Sequence, residues 1–306
     1  MGRTLLIGSE TGVWREWLKA ERRNRDLIVL DPADANYGFP TRLVLLRGDR
    51  VVAWSFLGSL EPMRAPHLTV AALNAFLAAA ETNAIVASFP YRPGPLAHQM
   101  TLLVDQMVRP TEIFVSQDAP LPVGCLTMGP ESVSHENTLP SLVLEAQRKA
   151  QWLALLKIAE SHRLNLRDLS IEGARLGSGT VCTDQVAKID GLARAVWAER
   201  CGGTLLIVTA DEPDDTAIAA ALDQFGASRV QLVRPDAYRH LLCSLAREPG
   251  EDLGIGMVTH IDFESGEVEI LNTAVPPAHA HRLRLGSLRV DTASGRELGE
   301  VRPWQV

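Results

Sequence analysis

Apolar residues in the first part of the chain follow two alternating patterns. Short apolar runs at 5–7, 27–30 and 84–88 have the length of buried strands, and longer apolar segments at 68–80 and 96–108 have the length of helices. Strands that alternate with helices are typical of a mostly parallel sheet covered on both faces. We therefore predict a P-loop-kinase-like α/β domain over residues 1–165.

The pattern changes in the second part, residues 166–306. A strand is predicted at 204–209 and a helix at 216–225, with Asp211 as its N-cap, Pro213 in its first turn and Gly226 at its end. From about residue 253 the alternation shortens to a period of two, which is typical of strands. We predict a small α/β unit followed by a C-terminal β module.

Three further segments complete the expected organisation. Apolar runs at 43–46 and 51–54 flank Gly48-Asp49, which predicts a β-hairpin. Residues 117–140 are rich in Pro, Gly and Ser and predict an extended loop. A helix is predicted at 141–162. Its expected apolar face consists of Leu142, Leu144, Trp152, Leu153, Leu156 and Ile158.

A glycine-bounded turn follows the first strand and has the outline of a phosphate-binding loop. It reads Gly8-Ser9-Glu10-Thr11-Gly12. A working P-loop has four residues between its glycines and then Lys followed by Ser or Thr. Here the spacing is one residue short, Val13 stands at the lysine position and Trp14 at the hydroxyl position. Backbone amides could still attract a phosphate, so we interpret the turn as a vestigial phosphate-binding loop or an ordinary strand-to-helix turn.

The order of several motifs carries a family resemblance. Asp31 and Asp34 follow the second strand, Phe56-Leu57-Gly58-Ser59 precedes the next helix, and Leu283–Asp291 and Gly295–Gly299 lie near the C-terminus. This order resembles the polynucleotide 5′-hydroxyl kinases. That family includes the RNA kinase subunit of the eukaryotic pre-mRNA cleavage factor and its ribosomal-RNA-processing relatives.

The resemblance implies a candidate groove for substrate or nucleic acid. In the family, the second carboxylate after the second strand lies near the substrate hydroxyl and metal, and basic residues of a lid helix clamp phosphates. The corresponding residues here are Asp31, Asp34, Ser59, Arg148, Lys149, Arg163 and Arg167. Turn and cap roles for the carboxylates and the serine, and a solvated helix face for the basic pair, are the competing interpretations.

The chain departs from the family at the positions that would carry catalysis. Besides Val13 and Trp14, the segment Ser88-Phe89-Pro90-Tyr91 lacks the Walker B aspartate. We therefore predict no catalytic residues and a protein that serves as a scaffold in nucleic-acid processing or protein assembly. The alternatives are an active kinase or nucleotide hydrolase with a rebuilt site, and an interaction module without ligands. In a rebuilt site Lys19, Arg22 or Arg23 would have to reach back about 10 Å.

Composition restricts the partners and cofactors. The net charge of −7 argues against a broad nucleic-acid surface, so RNA or DNA binding should be weak and local, and another protein is the expected partner. We expect at most weak binding of ATP or phosphate. The acidic run 211–215 and the pair His279 and His281 do not predict a metal site, because the run suits a helix N-terminus and the pair lacks a third ligand.

The sequence also indicates the cellular location of the protein and the redox state of its cysteines. The charged segment 16–26 follows a very short apolar run, unlike a signal peptide, and no apolar stretch has the length of a membrane span. We therefore expect a cytoplasmic protein without a membrane partner. The four cysteines, Cys125, Cys182, Cys201 and Cys243, have no paired spacing, and we expect reduced, buried thiols.

Overall fold

A computed structural model describes residues 2–121, 124, 126–134, 139–248, 250–274 and 279–301. The chain divides into two compact units, residues 1–152 and 153–306. Among the described residues the first unit holds one sheet and the second holds two. The boundary predicted between residues 165 and 166 stays a prediction.

The first unit is built on a mostly parallel sheet. Its strands are β1 (Thr4–Ile7), β2 (Leu27–Val29), β3 (Arg42–Arg47), β4 (Arg50–Phe56), β5 (Ile85–Ala87), β6 (Glu112–Ser116) and β7 (Glu131–Val133). They are arranged in the order β4-β3-β2-β5-β1-β6-β7. Within the described sheet only β3 runs against the other strands, so its pairs with β2 and with β4, its partner in the predicted hairpin, are antiparallel. The predicted α/β fold is therefore confirmed, whereas β7 lies in a segment predicted to be a loop.

Helices cover both faces of this sheet. They are α1 (Arg15–Glu21), α2 (Pro66–Ala79) and α3 (Pro95–Val108), and a further helix, α4 (Ser141–Ile158), follows the last strand of this sheet in the chain. Leu5 and Ile7 pack with side chains of α2 and α3 on one face, while Leu6 packs with Trp14 and Leu18 on the other. Burial on both faces explains why these strands are continuous apolar runs.

The second unit is richer in strands than the sequence predicted. One sheet contains β10 (Thr180–Val181), β11 (Trp197–Cys201), β12 (Thr204–Val208) and β13 (Arg229–Val233). A larger sheet contains β8 (Glu160–Asn165), β9 (Ser170–Glu172), β14 (Leu241–Ala246), β15 (Asp252–Asp262), β16 (Glu267–Asn272), β17 (Arg282–Val290) and β18 (Glu297–Glu300). Two helices, α5 (Thr183–Val186) and α6 (Asp215–Phe225), complete the unit.

Several local predictions are wrong. Helix α4 ends at Ile158, and residues predicted to extend it form β8, which pairs with β16. Leu142, Leu153 and Ile158 are exposed, whereas Trp152 is fully buried. The predicted apolar face was therefore misplaced, because exposed leucines are frequent enough to imitate a buried stripe.

Helix α6 and the cysteines supply two more corrections. The cap of α6 is Asp214, whose carboxylate accepts a hydrogen bond from the amide of Ala217 at 2.8 Å, not Asp211. Its predicted end at Gly226 is confirmed by a left-handed backbone at that residue. Cys243 is buried as expected, but Cys201 is exposed. Cys125 lies outside the described residues.

Close packing of β15 against β16 depends on a glycine. A Cβ atom on Gly256 would lie 1.9 Å from the carbonyl oxygen of Leu271 and 2.8 Å from the Cα of Asn272. Both neighbours are backbone atoms of the paired strand, so they cannot rotate away. Gly256→Ala should therefore destabilise the protein by about 1 to 3 kcal/mol and lower its urea midpoint.

The matched control is Gly129→Ala, where an added Cβ meets no atom within 4 Å. This variant should keep the wild-type midpoint. Equal midpoints for Gly256→Ala and wild type would contradict the described register of β15 and β16.

Candidate functional site

The candidate site lies where the parallel strands β1, β2 and β5 end. The loops that follow these strands meet at the carboxyl edge of the sheet, which is where α/β proteins place ligands. The loop after β1 is tied to the loop after β5, because the amide of Tyr91 donates a hydrogen bond to the carbonyl of Gly8 at 2.8 Å. This backbone hydrogen bond therefore joins the loops after β1 and β5 at the edge of the sheet.

Side chains of the loop itself pack across the glycine turn. Val13 and Trp14 are 6% and 4% exposed and belong to the apolar cluster on the α1 face of the sheet. A Cβ on Gly8 would lie 2.3 Å from Cγ1 of Val13 and 3.0 Å from Nε1 of Trp14. The absence of a side chain at Gly8 thus lets Val13 approach the backbone. Val13 and Trp14, which the sequence places at the lysine and hydroxyl positions of the P-loop pattern, therefore pack in the apolar core.

The turn reaches α1 through irregular backbone. Gly12 has a φ of +75°, and the amide of Arg15 donates to the carbonyl of Gly12 at 3.1 Å. The helix begins only at Arg15 and ends at Glu21. Because α1 is short and starts three residues beyond Gly12, it offers less helix dipole to an anion than the helix of a P-loop does.

Asp31 is the buried acid of this edge. Its carboxylate accepts hydrogen bonds from the amide of Ala33, at 3.0 Å, and from the hydroxyl of Thr11. Burial and then the nearby charge of Asp34 raise the pKa of Asp31 to about 7, although these hydrogen bonds and the charge of Arg148 oppose the rise. Asp31 therefore titrates near neutrality, as a general acid or base does.

Asp34 and Ser59 make the local contacts expected of turn residues. The carboxylate of Asp34 accepts from the amide of Asn36 at 3.0 Å and caps a short 3-10 helix. Burial raises the pKa of Asp34, while Asn36 and Arg15 oppose the shift. The hydroxyl of Ser59 accepts from the amide of Glu61 at 2.9 Å, and Ser59 is 1% exposed.

A small cleft opens between these loops. Its volume is about 160 Å³. The lining residues are Thr11, Asp31, Ala33, Leu60, Glu61, Pro62, Met63, Phe89, Pro90, Arg92 and Ala97. Ligand sites commonly have volumes of about 300 to 1,000 Å³, so this cleft is small for a nucleotide. Sequence reasoning missed Glu61 and Arg92, although the position of Arg92 just beyond β5 was a usable signal.

The structure brings Arg148, one of the predicted basic residues, to this edge. The charge of Arg148 on α4 acts on Asp31, and Gln151 donates to the carbonyl of Ala35 at 3.2 Å, which holds α4 beside this loop. Lys149 is exposed. Arg163 and Arg167 belong to the second unit.

Arg163 and Arg167 have partners or neighbours within the second unit. Arg163 forms an ion pair of 2.6 Å with Glu269. Arg167 lines a cleft of about 480 Å³ in the second unit, and Trp197 and Phe263 line the same cleft.

Within the described residues no group of three or more His, Cys, Asp or Glu side chains could hold a metal ion. In the same part of the chain, no helix is long and apolar enough to cross a membrane.

Comparisons with known proteins agree with this architecture. No protein-family model matches the chain. It is 24% identical over 157 residues to polyribonucleotide 5′-hydroxyl-kinase MJ1315 of Methanocaldococcus jannaschii. That match covers 50% of this chain and 42% of the archaeal protein, so less than half of the relative's length is matched.

Two solved structures of complexes of Clp1p with Pcf11p are similar in fold to this chain. Each superimposes with a TM-score of 0.55 at 9% identity and covers 94% of this chain, and 75% or 74% of the matched one. The fold is similar to that of Clp1p. Together with the archaeal match, this supports a relationship to the polynucleotide 5′-hydroxyl kinases, which the sequence motifs predicted.

The raised pKa of Asp31 gives a test of the site's electrostatics. A carboxyl whose folded pKa lies above its unfolded value stabilises the fold fully below pH 4, and this contribution is lost as pH rises towards 7. Asp31→Asn should therefore be more stable than wild type at pH 8, by at most about 4 kcal/mol. The difference should shrink steadily as pH falls towards 4.

Urea unfolding of both proteins across this pH range checks the prediction. The exposed Asp223→Asn serves as the matched control and should follow the wild-type profile. Parallel pH profiles for Asp31→Asn and wild type would show that the Asp31 carboxyl is not held in the described environment.

Proposed function

We propose that this chain is a catalytically inactive polynucleotide-kinase-like protein that acts as a scaffold in nucleic-acid processing or protein assembly. The observation that carries the proposal is the packing of Val13 and Trp14 over Gly8. Phosphoryl transfer depends almost entirely on positioning and on charge stabilisation of the phosphate groups. Apolar side chains at the lysine and magnesium-hydroxyl positions supply neither.

The side chains considered as substitutes for the missing lysine make contacts elsewhere. Lys19 pairs with Glu16 at 2.7 Å, and Arg22 donates to the carbonyl of Gly48. Both residues, with Arg23, line a different cleft from that of Thr11 and Asp31. Their positions favour the inactive interpretation.

One observation favours the second candidate function, an active kinase or nucleotide hydrolase with a rebuilt site. Asp31 has a pKa of about 7, and Arg148 acts on it from α4. A base with such a pKa could accept the proton of an attacking hydroxyl or water. The small volume of the cleft and its apolar Phe89, in the segment that lacks the Walker B aspartate, weigh against this candidate.

The expected partners follow from the same relationship. The solved structures similar to this chain are complexes of Clp1p with the protein Pcf11p. We infer that this chain also has a protein partner and functions in the cytoplasm. The residues Gly8 to Gly12 would then be a vestigial phosphate-binding loop, and Asp31, Asp34, Ser59, Arg148, Lys149, Arg163 and Arg167 the candidates for local contact with RNA or DNA.

The purified protein should not transfer labelled phosphate from ATP to a 5′-hydroxyl oligoribonucleotide. Loss of one stabilising group commonly lowers a rate by about 10² to 10³, and this chain lacks three of them. The archaeal kinase is the positive control, and Gly12→Ala is the loop control. Wild type and Gly12→Ala should both remain at background. Robust transfer that disappears in Gly12→Ala would instead establish the rebuilt site.

Any RNA binding at the predicted groove should depend on Arg148 and Lys149. Reversing both charges, Arg148→Glu with Lys149→Glu, should lower the affinity and reduce its salt dependence by the share that this groove contributes, because phosphate contacts release counterions. Fluorescence anisotropy at several salt concentrations measures this. An unchanged affinity in the double variant, with measurable wild-type binding, would contradict the groove assignment.

A further inference from the structure

A second cleft in the first unit collects positive charge in an acidic chain. Its volume is about 410 Å³, within the usual range of about 300 to 1,000 Å³ for ligand sites. We call it the α1 cleft, and its lining residues are Arg15, Leu18, Lys19, Arg22, Arg23, Asn36, Tyr37 and Asp49. Four of these residues are cationic and one is anionic, whereas the whole chain carries −7. It shares no lining residue with the cleft at Thr11 and Asp31.

The cations form a row along one side of α1. Arg15, Lys19 and Arg22 are spaced four and three residues apart, so their side chains lie above one another on the helix. At 1.5 Å per residue the row is about 10 Å long. Arg22, at the end of the row, is only 11% exposed, donates to the carbonyl of Gly48 and lies 3.9 Å from Asp49. It therefore adds charge to the cleft, while Arg15 and Lys19 lie nearer the opening of the cleft to solvent.

Arg15 carries a positive charge at a position where the helix dipole does not favour one. It is the first residue of α1, where the macrodipole is unfavourable to a positive charge. Its Nη2 donates to Oδ1 of Asn36 at 2.6 Å, while its Nε is buried and has no hydrogen-bond partner in the part of the chain that the structure describes. Arg15 is therefore held by Asn36 and contributes its positive charge to the cleft.

The outer cations are available to an incoming anion. Lys19 and Glu16 form an ion pair in which both side chains are about two-thirds exposed, 66% and 68%. Such exposed pairs contribute little and exchange readily. Arg23 is exposed, and no ion pair of Arg23 occurs among the described residues. A phosphate could therefore bind these two side chains without breaking a strong interaction.

Tyr37 places an aromatic ring among these charges. Its half-buried side chain packs against the apolar cluster on the α1 face, and the charges of Asp34 and Asp49 as well as those of Arg22 and Arg15 act on its hydroxyl group. Burial raises the pKa of Tyr37 to about 12, so the hydroxyl remains protonated and can donate a hydrogen bond. Aromatic rings beside a basic groove are the usual stacking platforms for single-stranded nucleic acid.

We propose that the α1 cleft binds the phosphate backbone of single-stranded RNA, as an anchoring site separate from the carboxyl edge of the sheet. Lys19 and Arg23 contact phosphates, the charges of Arg15 and Arg22 strengthen the attraction, and Tyr37 stacks on a base. Tyr37 favours RNA over an acidic peptide, which would use the cations alone. The inference rests on the proposed scaffold function and adds to it the position at which RNA is held.

Fluorescence anisotropy with a short, labelled single-stranded oligoribonucleotide tests this site. The test variant is Lys19→Glu with Arg23→Glu, which changes two exposed side chains. It should lower the affinity at low salt at least about tenfold and reduce the slope of log affinity against log salt by about 1.4. Tyr37→Leu should weaken binding without changing that slope, because it removes stacking and no charge.

The matched control is Arg229→Glu with Arg234→Glu, which makes the same charge change at exposed residues of the second unit. It should stay within twofold of wild type. The milder pair Lys19→Gln with Arg23→Gln should show a smaller loss, and it replaces the reversal if circular dichroism shows that the latter is unfolded.

Three outcomes would overturn the proposed site. They are the absence of RNA binding by wild type, an equal affinity in the test variant and the control, and a glutamate-rich peptide that binds as tightly as the oligoribonucleotide with the same loss in the test variant. Phosphoryl transfer, by contrast, would overturn the inactive scaffold and leave the anisotropy result standing. The two failures are therefore distinguishable.

Discussion

The contact of Val13 and Trp14 with the backbone of Gly8 determines how the first strand joins the first helix. Because both side chains are buried in the cluster that covers one face of the sheet, the loop is fixed by core packing. A lysine at Val13 would place a charge in this cluster, and burying an unpaired charge is costly. The same packing that stabilises the unit therefore leaves apolar side chains at these two positions.

The loops next to the glycine turn are more polar than the turn itself. Asp31 remains buried beside Thr11 and within the influence of Arg148, and it titrates near neutral pH. A buried acid of this kind is costly in an ordinary turn, since burial penalises its charged form. The cleft around this carboxyl is small, about 160 Å³.

The sequence predicted the first unit well and the second less well. Buried strands such as β1 and β2 are unbroken apolar runs, and Gly48-Asp49 indicated the hairpin. Strand β8 was missed because it begins only two residues after the end of α4, and its sequence, Glu-Ser-His-Arg-Leu-Asn, is too polar to give an apolar strand pattern. At the site, Asp31 and Thr11 were identified from loop position. Glu61, Arg92 and the α1 cleft were not, because such clusters arise only when separate segments fold together.

Calorimetric titration of the protein with ATP and Mg²⁺ tests the central claim most directly. With Val13 and Trp14 packed over Gly8, the account predicts no saturable binding tighter than the high micromolar range, about −5 kcal/mol. Gly12→Ala should leave the weak signal essentially unchanged. Low-micromolar binding of ATP and Mg²⁺ that Gly12→Ala removes would contradict the account, because it would show that the loop opens to admit the phosphates.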